Sequence, residues 1–317
     1  MNRIRQHLCH LRTIWAPRLW LSAARKVCLL LGFMLALNLT LIHPPSLARD
    51  LQDVLKAGKL RHLGIPYANF ISSLESGLDV ELMRKFSAYL GVEYEFVSSS
   101  WRDIVADLTG KTFQTHGEDV ILTGKCPVQG DVIASGFTIL PWRKKLIDFA
   151  SAYFPTGVWL ITYAGSDLNP VTPTGSIQND INAVKKKLNG RSVLVLEDSC
   201  LDPSLYKLEK TGASIQLLDP SRDIREMIPL VIARIVETTL MDVPVALIAL
   251  EKWPGDIKIV GPVSKRQEMA PGFSKSSPEL KAAFETFFKR YKSDGSYRRL
   301  VMKYYPSVFT YYPDFLK

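Results

Sequence analysis

Apolar positions along the chain switch repeatedly between a two-residue and a helical period. Residues 60–65, Leu-Arg-His-Leu-Gly-Ile, end at Pro66 and predict a first strand. After Gly77-Leu78, Leu82, Phe86 and Leu90 fall on one face, so a helix is expected with Asp79 as its N-cap and Gly91 as its stop. Val92, Tyr94 and Phe96 alternate with Glu93 and Glu95 as a second strand, and 101–108 predicts the next helix. Strand and helix in alternation predict a parallel sheet flanked by helices. Tyr67 and Phe70 follow the first strand, where open α/β sheets place a ligand crevice.

Between Gly110-Lys111 and Asp131 the rhythm breaks into a polar stretch with pieces at 119–122 and 128–130, expected to be an inserted hairpin. Residues 131–150 then carry a buried strand that stops at Gly136 and delivers a hydroxyl and a guanidinium into a loop. Thr138 offers an O–H and an N–H, and Arg143 a planar fork of donors matched to two carboxylate oxygens.

A continuous apolar strand at 158–163 leads to Gly165-Ser166-Asp167-Leu168-Asn169-Pro170, a composition shift that marks a second domain. It has its own βα units: a Lys-rich helix at 177–188 and a strand at 192–196. The turn Glu197-Asp198-Ser199-Cys200-Leu201-Asp202-Pro203 then opens a helix whose free N–H groups could meet an anion or be capped by Ser199 or Asp202. The strand 237–242 ends in Asp242 just before a helix, where the carboxylate can cap the helix or face an ammonium group. Residues 257–260 return to the first domain. The last long helix begins at Ser277-Pro278 and carries a core stripe of Leu280, Phe284, Phe287, Phe288 and Tyr291, followed by an aromatic tail expected to dock on the first domain.

Charge changes meaning once the start of the chain is set apart. The formal net charge is +9, yet six Lys/Arg and no acidic residue fall in 1–26, ahead of an uncharged apolar run of sixteen residues at 27–42 and the small-residue site Ser46-Leu47-Ala48. This is the pattern of a secretory signal peptide over 1–48. An uncleaved anchor is the rival, although the run is shorter than the ~20 residues of a spanning helix. Without the leader, 34 basic residues face 31 acidic ones, and a nucleic-acid partner is not expected. Of four cysteines only Cys126 and Cys200 lie beyond the leader, too few for a disulfide framework. His62 and His116 are the only histidines there, with no Gly-x-Ser-x-Gly, His-Glu-x-x-His or zinc-spaced cysteines, so no metal or cofactor is expected.

Taken together, 60–66, Gly77-Leu78-Asp79-Val80-Glu81-Leu82, Trp101 with Gly110-Lys111, 131–153, Asp242-Val243-Pro244-Val245-Ala246 and Asp294-Gly295-Ser296-Tyr297 resemble the solute-binding proteins of bacterial amino-acid ABC importers, the polar-amino-acid class. The resemblance implies an α/β, two-lobed, type II periplasmic-binding-protein-like fold with two crossover strands and a ligand cleft between the lobes. Lobe 1 would comprise 49–163 and 258–317, and lobe 2 164–257. It implies that Gly136, Thr138, Arg143 and Ser199 hold a ligand α-carboxylate, Asp242 the ammonium, and Tyr67, Phe70 and Trp101 the side chain. Where the family usually has a Gly-Thr-Thr type turn this chain has Asp198-Ser199-Cys200, whose extra carboxylates favour a neutral or cationic ligand.

The function so implied is hinge closure on an amino-acid-like solute by a periplasmic monomer that delivers it to importer membrane subunits. The chain is also similar to the non-catalytic lobe pair of lytic transglycosylase F type proteins, which implies a stand-alone sensor or cell-wall-associated role as an alternative. A second alternative is a cyclohexadienyl-type dehydratase on the same scaffold, with Glu197 as its acid or base.

Overall fold

A computed structural model describes residues 48–219 and 222–316. The leader expected over 1–48 therefore lies, except for Ala48, outside the described residues, as does the side chain of His116. No helix among the described residues is long and apolar enough to cross a membrane.

The first sheet runs, edge to edge, Glu93–Ser98, Lys59–Gly64, Val132–Ile133, Gly272–Ser274 and Ile147–Phe149. Its first three strands are parallel, and Gly272–Ser274 is antiparallel to both of its neighbours. Paired backbone in the 131–136 segment is limited to Val132–Ile133. The second sheet has the order Ser214–Leu217, Ser192–Val195, Thr238–Asp242, Val158–Tyr163, Ile257–Pro262. Val158–Tyr163 and Ile257–Pro262 are antiparallel to each other within it. Just before and after them, Phe154–Thr156 pairs with Gln267–Met269 in a separate two-stranded ribbon. The chain thus passes twice between two sheets, the two-lobed type II arrangement.

The helix Leu78–Leu90 differs from expectation in its cap. Gly77 occupies the N-cap with φ 137°, and a Cβ there would stand 2.2 Å from the Phe70 carbonyl oxygen. Asp79 is instead carried into the first turn and turned inward, fully buried. The inserted hairpin also differs: Lys111–His116 pairs with Asp119–Lys125, and 128–130 takes no part.

The two ends of the described chain brace the first lobe. Asp50 caps the helix Leu51–Ala57 and also accepts from the Leu280 amide (2.8 Å) at the start of Pro278–Ser293. Asp131, buried, is gripped by the guanidinium groups of Arg49 and Arg61. The aromatic stripe of the last long helix packs Phe284 on Phe86 at 5.2 Å between centroids. In the tail, Tyr305 lies 4.7 Å from Phe70 and its hydroxyl accepts from the Asn69 amide (3.0 Å), so the tail docks beneath the first strand's carboxyl end.

Candidate functional site

The Arg143 half of the site is built by a glycine turn. Ser135 Oγ donates to the Ile65 carbonyl (2.9 Å) and fixes the loop to the end of the first strand. Gly136 adopts φ +57°, and a Cβ there would meet the Phe70 ring at 2.6 Å, so only glycine fits. Its amide donates to Asp79 Oδ2 (2.6 Å), which also accepts from the Tyr153 hydroxyl (2.8 Å). Burial pushes the Asp79 carboxyl up to about 7, with those two donors opposing.

Pro141 starts the short helix Pro141–Leu146, which carries Arg143 inward to 1% exposure. Its Nη1 donates to the Thr138 carbonyl (2.9 Å), and the guanidinium lies over the Phe137 ring at 3.9 Å. Nε and Nη2 are buried with no partner among the described residues. Burial lowers the pKa of Arg143 to about 10, with Cys200, Tyr206, Tyr67 and Asp198 opposing, so it is a cation at neutral pH. An arginine held by one nitrogen and presenting two others is prepared for a bidentate anion.

Asp242 supplies the second lobe's half. Thr238–Asp242 is the buried middle strand of its sheet, flanked by Ser192–Val195 and Val158–Tyr163. Asp242 stands at the N-cap position of Val243–Lys252, yet its side chain makes no cap hydrogen bond. Both carboxylate oxygens are buried and unpartnered among the described residues. Burial raises its pKa to about 7; the Tyr67 phenol and the Val245 amide oppose this, but neither reaches hydrogen-bonding geometry.

Unpartnered buried polar atoms mark the site, because such atoms are rare in folded proteins and each carries a desolvation cost. Among the described residues they belong to Tyr67, Asp79, Trp101, Thr138, Arg143, Asp242 and Gln267. Tyr67 stands edge-on to Trp101 at 5.0 Å and stacks on Phe70 at 6.2 Å. Phe70 itself is fully buried against Phe154 and Tyr305, a floor under the site rather than an open wall.

The second-lobe turn departs from its expected form. Pro203–Tyr206 is a four-residue 3-10 helix capped by Asp202, too short to present an anion-binding N-terminus. Ser199 Oγ donates to the Leu196 carbonyl (2.8 Å) and accepts from the Leu201 amide (2.9 Å), so its hydroxyl is committed to its own turn. The next residue faces the site: burial pushes the Cys200 thiol up to about 12, with Asp242 adding to the rise and Arg143 and Thr138 opposing it. Cys200 and Cys126 are both free thiols. Sequence reasoning missed Cys200, although its place after Ser199 was a usable signal. It also missed Gln267, whose Nε2 donates to the Tyr206 hydroxyl (3.3 Å) and which no motif announces.

The inserted hairpin joins the two halves. Phe113 packs on Trp142, beside Arg143, at 5.5 Å, and Lys145 pairs with Asp119. From the same hairpin Thr115 Oγ1 donates to Asp198 Oδ1 (2.8 Å) in the opposite lobe. Next to this contact is a cavity of about 550 Å³ lined by both lobes, with Trp101 on one wall and Leu196, Glu197 and Asp198 on the other. Glu197 is exposed at its rim. A second cavity of about 540 Å³ lies among Tyr153, Arg266 and Arg298, and the lining of neither cavity includes Thr138, Arg143 or Asp242.

Residues 127–307 match the model of the bacterial extracellular solute-binding proteins, family 3. The chain is 29% identical over 236 residues to a membrane-bound lytic murein transglycosylase F of Desulfosudis oleivorans, covering 74% of this chain and 45% of that protein, so it spans less than half of that relative's length. It is 23% identical to the L-cystine-binding protein TcyJ of Escherichia coli, covering 73% of this chain and 74% of that one. Among solved structures, a mutant of ArgBP from T. maritima superposes with TM-score 0.64 at 21% identity, over 81% of this chain and 99% of its own. An ancestral amino acid-binding protein described as a precursor of cyclohexadienyl dehydratase gives 0.61 at 23% identity, over 80% and 98%. With a family match that covers more than half of its length and a two-lobed fold in agreement, the chain belongs to the bacterial extracellular solute-binding proteins, family 3.

Proposed function

We propose that this protein binds a small amino-acid-like solute between its lobes by hinge closure and delivers it, as a periplasmic monomer, to the membrane subunits of an ABC importer. The supporting observation is the set of buried, unpartnered groups with opposite character on opposite lobes: Arg143 Nε and Nη2 with Thr138 Oγ1 on one, both Asp242 oxygens on the other. In this reading the α-carboxylate lies on Arg143 and Thr138, the ammonium on Asp242 and the Tyr67 hydroxyl, and Gly136 shapes the loop that carries them. The Cys200 thiol faces the carboxylate in place of the hydroxyl that Ser199 commits to its turn. The lobes are assigned to either side of the ribbon of Phe154–Thr156 and Gln267–Met269, about which they close: Val158–Tyr163 and Ile257–Pro262 lie in the second sheet and so go with lobe 2, where the sequence put the boundaries at 163/164 and 257/258.

A thermal-shift screen of the wild type against the amino acids, with Arg143→Ala and Asp242→Ala alongside, tests the reading. Stabilisation of the wild type by at least one amino acid, lost in both variants, is expected. Equal stabilisation of the variants removes the clamp.

A second reading draws on the similarity to the lytic murein transglycosylase F: a lobe pair associated with the cell wall that senses rather than transports. Retention on isolated peptidoglycan, without stabilisation by any free amino acid, would select it.

A further inference from the structure

We infer that the solute is an α-amino acid whose side chain is extended through an amide link by a further residue-sized group, rather than a free small amino acid. This rests on the clamp reading above and adds to it where the side chain goes and how large it is.

The clamp is deep. Arg143, Thr138 and Asp242 are each 1% exposed and Tyr67 2%. Beyond Tyr67 stands Trp101, 5.0 Å away and edge-on, and Trp101 forms a wall of the inter-lobe cavity. On the facing lobe, Asp198 acts on Arg143 electrostatically and lines the same cavity. Tyr67 against Trp101 on one lobe and Asp198 near Arg143 on the other are thus the links between the clamp and this cavity, whose own lining holds none of Thr138, Arg143 and Asp242.

Size decides the class of ligand. The cavity holds about 550 Å³, within the roughly 300–1,000 Å³ of pockets that take a whole small molecule rather than one side chain. Its chemistry points the same way. Ile65, Leu196 and Leu218 give apolar walls for a chain of methylenes. Trp101 Nε1 is a buried donor without an acceptor among the described residues, suited to an amide carbonyl. Glu197, exposed at the rim, can accept from an amide N–H. Thr115 Oγ1, from the hairpin, holds the carboxylate of Asp198, one of the residues that line the cavity.

The test is calorimetric titration of the full chain with three probes: L-alanine, L-lysine and Nε-biotinyl-L-lysine. The last should bind at least tenfold more tightly than L-alanine. Ser100→Trp and, separately, Arg222→Trp place an indole at the cavity wall away from the clamp; each should abolish that advantage and leave the alanine affinity within twofold. If L-alanine binds and the conjugate binds no better, or if the conjugate's advantage survives both variants, the extended-arm inference is overturned while the clamp stands. If no probe binds the wild type, the clamp reading and this inference fall together.

Discussion

Replacing Asp242 with asparagine separates the cost of a buried carboxylate from its use. In the folded protein the Asp242 pKa is raised from 3.8 to about 7 by burial. At 1.36 kcal/mol per pKa unit, ionising it inside the protein costs roughly 4 kcal/mol. The folded state holds this proton more tightly than the unfolded state, so the cost is absent below pH 4. It grows between pH 4 and 7 and is constant above that. Urea unfolding of the ligand-free wild type and Asp242→Asn from pH 4.5 to 8.5 should therefore show the variant gaining on the wild type as pH rises. The difference should approach roughly 4 kcal/mol near pH 8. Asp79, raised to about 7 as well, is present in both proteins and cancels in the comparison. A ligand ammonium favours the ionised carboxylate, so wild-type affinity should rise up to tenfold per unit of pH up to about 7, while the variant binds weakly and without pH dependence. Stability differences independent of pH would refute the argument.

Three further outcomes are expected. Arg143→Lys keeps the charge but loses the planar fork, and isothermal titration should show affinity falling by about 30-fold or more, since breaking a buried charged contact costs about 2–5 kcal/mol. Gly136→Ala forces a side chain into a left-handed backbone 2.6 Å from the Phe70 ring and should lower stability by about 1–3 kcal/mol in urea unfolding. Thr115→Val removes the 2.8 Å bond to Asp198 across the lobes and should raise the ligand dissociation rate about fivefold or more in stopped-flow fluorescence, with the association rate little changed.

What the sequence made legible was whatever local punctuation specifies. Arg143 was legible as the guanidinium just past the buried strand, although the segment that carries it is the short helix Pro141–Leu146 and not the expected loop. Asp242 ends a five-residue buried strand just before the proline of the next helix. Both positions follow from period and breaker residues alone. Features that depend on which distant segments meet were not legible. Asp79 looked like an N-cap because acidic residues favour helix starts, but its partners, Gly136 and Tyr153, lie 57 and 74 residues away. Ser199 carried the expected hydroxyl, and only the backbone path of its turn directs that hydroxyl to Leu196. The hairpin was visible as an insertion, whereas its first strand, Lys111–His116, and its reach to Asp198 depend on tertiary pairing.

The contrast between Asp79 and the clamp bears on how closure is controlled. Asp79 is a buried carboxyl with both of its donors in its own lobe, so its environment is the same whether the lobes are together or apart. Arg143 and Asp242 belong to different lobes, and their remaining donors and acceptors meet no protein group when buried. Separated lobes would let water reach these atoms, whereas joined lobes leave them dry. In the proposed mechanism the zwitterion replaces that water, which makes joining favourable only with ligand present. The ligand-free protein suffices for a test. Arg143→Met with Asp242→Leu removes both dry charges while keeping volume and apolar packing, so the double variant should close unaided. Small-angle scattering should then show the ligand-free double variant with a smaller radius of gyration than the ligand-free wild type. Indistinguishable radii would mean that the charges do not set the closure equilibrium, and that the ribbon or the Thr115–Asp198 contact does.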